Sequence, residues 1–195
     1  MRLFAAVLPP ADVSSELAPV VDQLRRRPDA DRLRWTGRPG WHYTLAFYGE
    51  VDDDVVPELT RRLARLALES EPFELAVRGG GQFGNGRALW AGAAGDVAAL
   101  RRLAQGSETA AREVGVARVD AEHRLYRPHL TLARGGADVD IAPYLAALDD
   151  FTGRTWTVPE LALVRSNSLD PGALDGPGDR PRYEAVAREP LGGAG

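Results

Sequence analysis

The amino-acid sequence predicts alternating β-strands and α-helices folded as two related lobes that face each other across a cleft. Three observations predict it. Apolar positions recur at helical spacing in four segments, with strand-like composition between them. Two pentapeptides, His42-Tyr43-Thr44-Leu45-Ala46 and His129-Leu130-Thr131-Leu132-Ala133, share four of five residues. Each is followed by a helical pattern and then by strand patterns, so the order of elements repeats too. The two histidines stand 87 positions apart. Two copies are too few for a solenoid, so the repeat is expected to build two facing lobes.

Residues 2–8 read as a strand closed by Pro9 and Pro10. In 11–27, Val13, Leu17, Val20, Val21 and Leu24 fall close to helical spacing, and Pro28 with Asp29-Ala30-Asp31 ends the pattern. Residues 32–36 alternate as a short strand, Gly37 to Gly40 form a turn, and 41–48 form an aromatic-rich strand ended by Gly49. Residues 54–69 are a second helix, with Val55, Val56, Leu59, Leu63, Leu66 and Ala67 on one side. Strands are expected over 72–78 and 87–92. The glycine-rich run 79–86 between them lacks the Gly-Lys-Ser/Thr ending of a phosphate loop, and no helix pattern starts after it. It is predicted to be a flexible hairpin connection. A third helix is predicted over 96–114, a strand over 127–134, and a fourth helix over 138–149 with Ile141, Leu145 and Leu148 inward. Closing strands are predicted over 155–166 and 182–188, with a surface loop at 170–181. Residues 1–190 are expected to form one bilobal domain and 191–195 a disordered tail.

Composition narrows the function. A chain of 195 residues with 44% hydrophobic and 27% charged residues is ordinary for a soluble globular protein with a real core. No apolar run reaches bilayer length, and the apolar stretch at the start is too short for a secretory signal. The sequence contains no cysteine, which excludes disulfides, thiolate catalysis and cysteine-ligated zinc and is compatible with a cytoplasmic location. All 24 basic residues are arginine, a bias read as base composition, although guanidinium forks suit phosphate. A net charge of −4 argues against a broad basic coat for nucleic acid, but not against a grip on one terminal phosphate. Charge is uneven: Arg124 to Arg134 holds three arginines and no acid.

The repeated pentapeptide carries the chemistry. Given one matched histidine, a chance match at Thr, Leu and Ala is on the order of one in a thousand. Side chains on a strand alternate faces, so His42, Thr44 and Ala46 are expected on one face, as are His129, Thr131 and Ala133. Tyr43, Leu45, Phe47, Leu130 and Leu132 would face the core. Two imidazoles and two hydroxyls would then converge on one volume. An imidazole titrates near 6.5, so one can be neutral while the other is charged. The neutral ring can take a proton from water attacking phosphorus, and the charged ring can protonate the departing ribose oxygen. Each role is worth about 10²- to 10⁴-fold. The threonine hydroxyls can donate to non-bridging oxygens. A five-membered cyclic phosphate is strained, so no metal or cofactor is needed. Only three histidines exist, and no third ligand has matching spacing. His123, in a polar segment, is read as an exposed bystander.

At these residues the chain resembles the two-histidine phosphoesterase superfamily, named for its two His-x-Thr-x motifs. Trp41 to Glu50 and Arg127 to Arg134 are similar to its bacterial and archaeal RNA 2′,3′-cyclic phosphodiesterase branch, also known as 2′-5′ RNA ligase. The strand Arg2 to Val7 fits as well. The resemblance implies a bilobal α+β fold with pseudo-twofold symmetry, mainly antiparallel sheets lining a central cleft and helices outside. It implies hydrolysis of a terminal 2′,3′-cyclic phosphate to a 2′-phosphate, with reversible 2′-5′ ligation. It also implies that His42 is the proton donor and His129 the acceptor, a choice the symmetric repeat does not make by itself.

Arg127 shares the parity of His129 and is a candidate substrate contact. By alternation Arg134 points away, and it would reach phosphate only if the strand ends or twists. Phe47 is expected in the core. Tyr48 stands where leucine is common in the branch and is the candidate for stacking on a base. The expected partner is an RNA 3′ end or a cyclic-phosphate nucleotide, with no metal and no membrane, and the chain is expected to be a monomer. Alternatives are a phosphodiesterase for a small cyclic nucleotide or ADP-ribose cyclic phosphate, and a non-catalytic RNA-end binding module.

Overall fold

The structure, a computed structural model, describes residues 1–84, 86–116, 126–135, 138–167 and 182–192. His123 and the predicted loop at 170–181 lie outside them. Along the described residues run β1 (Arg2–Val7), α1 (Ala11–Leu24), β2 (Arg34–Trp35), β3 (Tyr43–Glu50), α2 (Val56–Leu68), β4 (Phe73–Phe83), β5 (Ala88–Gly95), α3 (Val97–Glu113), β6 (Leu130–Arg134), α4 (Ala142–Asp149), β7 (Trp156–Val158), β8 (Glu160–Ser166) and β9 (Tyr183–Pro190).

The strands form one curled antiparallel sheet in the order β7-β4-β5-β6-β3-β1-β8-β9, with β2 beside β6. It divides into two lobes of four strands. One is β3-β1-β8-β9, the other β6-β5-β4-β7, and they meet through the pairing of Tyr43 with Leu130. The expected α+β, two-lobed architecture is thus present. The lobes are not the two halves of the chain, however. The strand pair that follows the first histidine, β4 and β5, belongs to the second lobe, and the last two strands return to complete the first.

Each helix presents an apolar stripe at spacings of three and four. In α1 the buried residues include Val13, Leu17, Val21 and Leu24; in α2 they are Leu59, Leu63 and Ala67. The Asp96 carboxylate caps α3 by accepting from the Ala99 amide at 2.8 Å. Gly106 lets α3 sit against α2, since a β-carbon there would lie 2.4 Å from Leu66 Cδ1. Helices α2 and α3 pack on the first lobe, and α4 packs on β4 with α1 beside it.

Two findings correct the expected elements. The glycine run is mostly strand, not a flexible connection: Gly80, Gly81, Gln82 and Phe83 pair with Ala91, Trp90, Leu89 and Ala88. Glycine is needed there by close approach on both faces. A β-carbon at Gly80 would stand 2.7 Å from Leu148 Cδ1 of α4, and one at Gly81 would stand 2.2 Å from the Trp90 ring. The tail also begins anchored. Leu191 is 4% exposed, its amide donates to the Pro159 carbonyl, and the Gly192 amide donates to that of Ala67. Residues 193–195 lie outside the described residues.

Simple alternation fails on both histidine strands, for one reason. Between Ala5–Ala46 and Ala6–Thr44 the β1–β3 register slips by one, leaving Leu45 as the extra residue. Between Leu89–Ala133 and Trp90–Thr131 the β5–β6 register slips likewise at Leu132. These are β-bulges at the same place in each repeat, three residues after the histidine. Beyond each bulge the faces exchange. Ala46 and Ala133 therefore join the core instead of leaving space in the cleft. The same exchange turns the Tyr48 ring inward, and the register slips once more at that residue.

Candidate active site

The seam between the lobes assembles the site. Tyr43 pairs with Leu130, and one step outward in an antiparallel register sets His42 across from Thr131 and His129 across from Thr44. All four side chains then share the face opposite Tyr43 and Leu130, which are buried in the core. Diagonal neighbours in such a pair, as the two histidines are, stand about 7–8 Å apart at the backbone. His42, Thr44, His129 and Thr131 are each half-buried on the open face. The histidines lie one residue before their strands rather than inside them.

Both imidazoles are held alike. His42 Nδ1 is 2.8 Å from the Gly40 carbonyl oxygen, and His129 Nδ1 is 2.9 Å from that of Arg127. A carbonyl only accepts, so each Nδ1 carries hydrogen and donates, leaving Nε2 as the atom free to exchange a proton. Aromatic rings fix the planes. Phe4 stacks on His42 at 4.7 Å and Tyr183 meets it edge-on at 5.2 Å. Phe83 meets His129 edge-on at 4.8 Å, with Trp90 tilted at 6.2 Å. Each lobe thus frames its own histidine. Sequence reasoning missed these four rings because their meeting depends on pairing between distant strands. The one local signal was Gly81, whose missing side chain makes the seat for Trp90.

Burial lowers His42 most, to about 4, and positive charge on His129, Arg134 and Arg182 pushes the same way against the Gly40 carbonyl. His129 is also lowered, first by burial and then by Arg134, against the Arg127 carbonyl. The two rings and Arg134 therefore lie within electrostatic reach of one another.

The remaining candidates divide. The bulge at Leu132 carries Arg134 onto the histidine face, so it does not point away as alternation required. The Arg127 side chain is exposed, and its main-chain carbonyl is what touches the site. Tyr48 is no stacking platform: it is 6% exposed and its hydroxyl donates to the Ser107 carbonyl at 3.2 Å. Phe47, expected in the core, is instead 36% exposed and lies beneath the Arg2 guanidinium at 5.2 Å. Among the described residues no group of three His, Cys, Asp or Glu could hold a metal ion, and no helix is long and apolar enough to cross a membrane.

Two antiparallel lobes meeting at a seam, each bringing a His-x-Thr motif to one face, define the two-histidine phosphoesterase class. The chain belongs to the 2′-5′ RNA ligase superfamily, whose sequence pattern it matches over residues 10–170. It is 32% identical over 182 residues to an RNA 2′,3′-cyclic phosphodiesterase of Thermus thermophilus, covering 89% of this chain and 86% of that one. It is 30% identical to the Geobacillus stearothermophilus protein of the same name over 82% of this chain, and spans only 48% of that relative's length. Among solved structures, a Thermus thermophilus protein superposes with a TM-score of 0.78 at 28% identity, covering 99% of each chain. E. coli LigT complexed with NADP+ superposes with a TM-score of 0.73 at 25% identity, covering 97% of this chain and 96% of that one.

Proposed function

We propose that this chain is a phosphodiester hydrolase that opens the 2′,3′-cyclic phosphate at an RNA 3′ end to a 2′-phosphate. The observation that carries it is the pair of imidazoles, identically tethered through Nδ1 and set diagonally across the seam on one face. His129 Nε2 takes a proton from water as the water oxygen bonds to phosphorus. The bond from phosphorus to the 3′ oxygen breaks, its electron pair stays on that oxygen, and His42 Nε2 supplies the proton. Thr44 and Thr131 donate to the non-bridging oxygens, and Arg134 adds positive charge where negative charge builds. A ribose hydroxyl in place of water would form a 2′-5′ linkage by the same path. The assignment of donor and acceptor follows the family, and the RNA substrate follows the names of the relatives.

The test is phosphorus NMR on an oligoribonucleotide ending in a 2′,3′-cyclic phosphate, with EDTA present. A 2′-phosphate product is expected. Loss of turnover in chelator, or a 3′-phosphate product, overturns the scheme. His42→Asn and His129→Asn should each lower kcat about 10²- to 10⁴-fold with less effect on KM. A fully active variant of either kind removes the acid–base pair. A solved E. coli LigT structure is complexed with 3′-AMP, so a cyclic mononucleotide is the second substrate to compare.

A further inference from the structure

We propose that Arg34, standing beside Arg134, forms a second phosphate site at the outer end of the cleft, one that takes the 5′-phosphate of the nucleotide whose cyclic phosphate lies at the histidines. This rests on the function proposed above. Arg34 of β2 is paired directly with Arg134 of β6. Directly opposite residues of an antiparallel pair project to the same face with β-carbons about 5 Å apart. The bulge at Leu132 places Arg134 on the histidine face, so Arg34 is there as well. The next pair confirms the parity, since Trp35 and Ala133 are both in the core. Arg34 and Arg134 are both exposed.

Like charges directly opposite one another destabilise a sheet. Among the described residues neither arginine forms an ion pair, whereas Arg32, two positions before Arg34, is neutralised by Asp138 at 3.0 Å. The short strand that carries Arg34 is firmly held. Trp35 Nε1 donates to the Ala30 carbonyl at 2.9 Å, and the Thr36 amide donates to the Leu132 carbonyl at 2.8 Å. The uncompensated charge is therefore built into the backbone register, not left to a wandering side chain.

Position points to which phosphate. The charge of Arg134 is felt at both imidazoles. Arg34 Nε lies 4.0 Å from where a β-carbon on Gly135 would stand, so it reaches along β6 away from His129. The pair thus runs outward from the reacting centre. A nucleotide carries its next phosphate one ribose away, on the 5′ oxygen. The Arg34 fork is placed to bind it bidentately while Arg134 serves the reacting phosphate, and the bound anion relieves the repulsion between the two guanidiniums. With a net charge of −4, the molecule as a whole gives no such attraction.

The experiment compares kcat/KM on adenosine 2′,3′-cyclic phosphate with and without a 5′-phosphate, and on the ApA dinucleotide ending in the same cyclic phosphate. The wild type should prefer both substrates that carry a second phosphate. In Arg34→Ala that preference should fall about 10- to 100-fold, with Arg34→Lys between the two. A response of the 5′-monoester alone would confine the site to nucleotide 5′-phosphates, and a response of both extends it to an RNA chain. An equal preference in wild type and variant, or none in the wild type, overturns the proposal. Adenosine 3′,5′-bisphosphate gives a readout that does not need turnover. Its Kd should weaken about tenfold in Arg34→Ala, with a salt dependence shallower by about one charge; an unchanged Kd overturns the second site. If the wild type hydrolyses none of the three substrates, the function above has failed, and the bisphosphate titration still decides the role of Arg34.

Discussion

Acidification should unfold this protein partly through His42. In the unfolded chain the imidazole takes a proton near 6.5, but in the folded chain burial and neighbouring positive charge hold it neutral down to about 4. Between those values the unfolded state binds more protons, so stability falls as pH falls. The contribution is complete at pH 7 and lost once pH drops through about 4. At about 1.36 kcal/mol per pH unit, the displacement corresponds to about 3 kcal/mol. With a urea slope of about 2 kcal/mol per molar, that is about 1.5 M in the unfolding midpoint. His42→Asn is the matched control, because it keeps a donor for the Gly40 carbonyl and does not titrate. Urea midpoints of wild type and variant measured from pH 7 to 4 should converge by about that amount. Carboxylates titrate in both proteins and cancel in the difference. A midpoint difference that stays constant with pH would refute the claim that the fold disfavours the charged ring.

Tyr48→Phe loses only the hydroxyl bond to Ser107, so melting experiments should show a loss of about 1 kcal/mol with unchanged kcat/KM. A changed base preference would instead restore a stacking role. Gly81→Val must displace the Trp90 ring, costing about 1–3 kcal/mol of stability and lowering kcat as His129 loses its neighbour; wild-type melting and turnover would contradict that packing. Arg134→Gln should move both limbs of the kcat/KM pH profile to higher pH, because Arg134 lowers both histidines. Limbs that stay in place would show that its charge does not reach them. Calorimetry of 3′-AMP binding near pH 6, in buffers of different ionisation enthalpy, should reveal proton uptake, because an anion beside lowered imidazoles raises them. Binding without uptake would contradict this.

The doubled pentapeptide made the family legible from sequence, and the helix stripes made most elements legible. What the sequence concealed was set by partners elsewhere in the chain. The same local pattern fits a straight strand and a bulged one, so alternation placed Ala46, Phe47, Tyr48 and Arg134 on the wrong faces; only the registers of β1 and β5 reveal the slips. Gly80 and Gly81 looked like loop residues because their reasons, Leu148 and Trp90, come from other elements. The lobe boundary was hidden for the same reason. No periodicity announces that β8 and β9 return to β1 rather than extend the second half.

The duplication runs deeper than the motif, and it ends where the proposed acid–base pair needs it to end. Both repeats share the histidine, the carbonyl two residues before it, the threonine two residues after it and the bulged leucine next. Two rings in identical settings would titrate together, and neither would be predisposed to give or take a proton. The fifth residue after each histidine breaks the equivalence on the open face: it is Phe47 in the first lobe, under Arg2, and Arg134 in the second. The framing rings differ too, with a stacked Phe4 on His42 and only edge-on or tilted rings on His129. Burial and charge lower both rings in the free protein, so the single proton the proposed reaction needs becomes more favourable when an anionic phosphate arrives. Symmetry brings two imidazoles to one face of the seam, and the departures from symmetry make them unequal there.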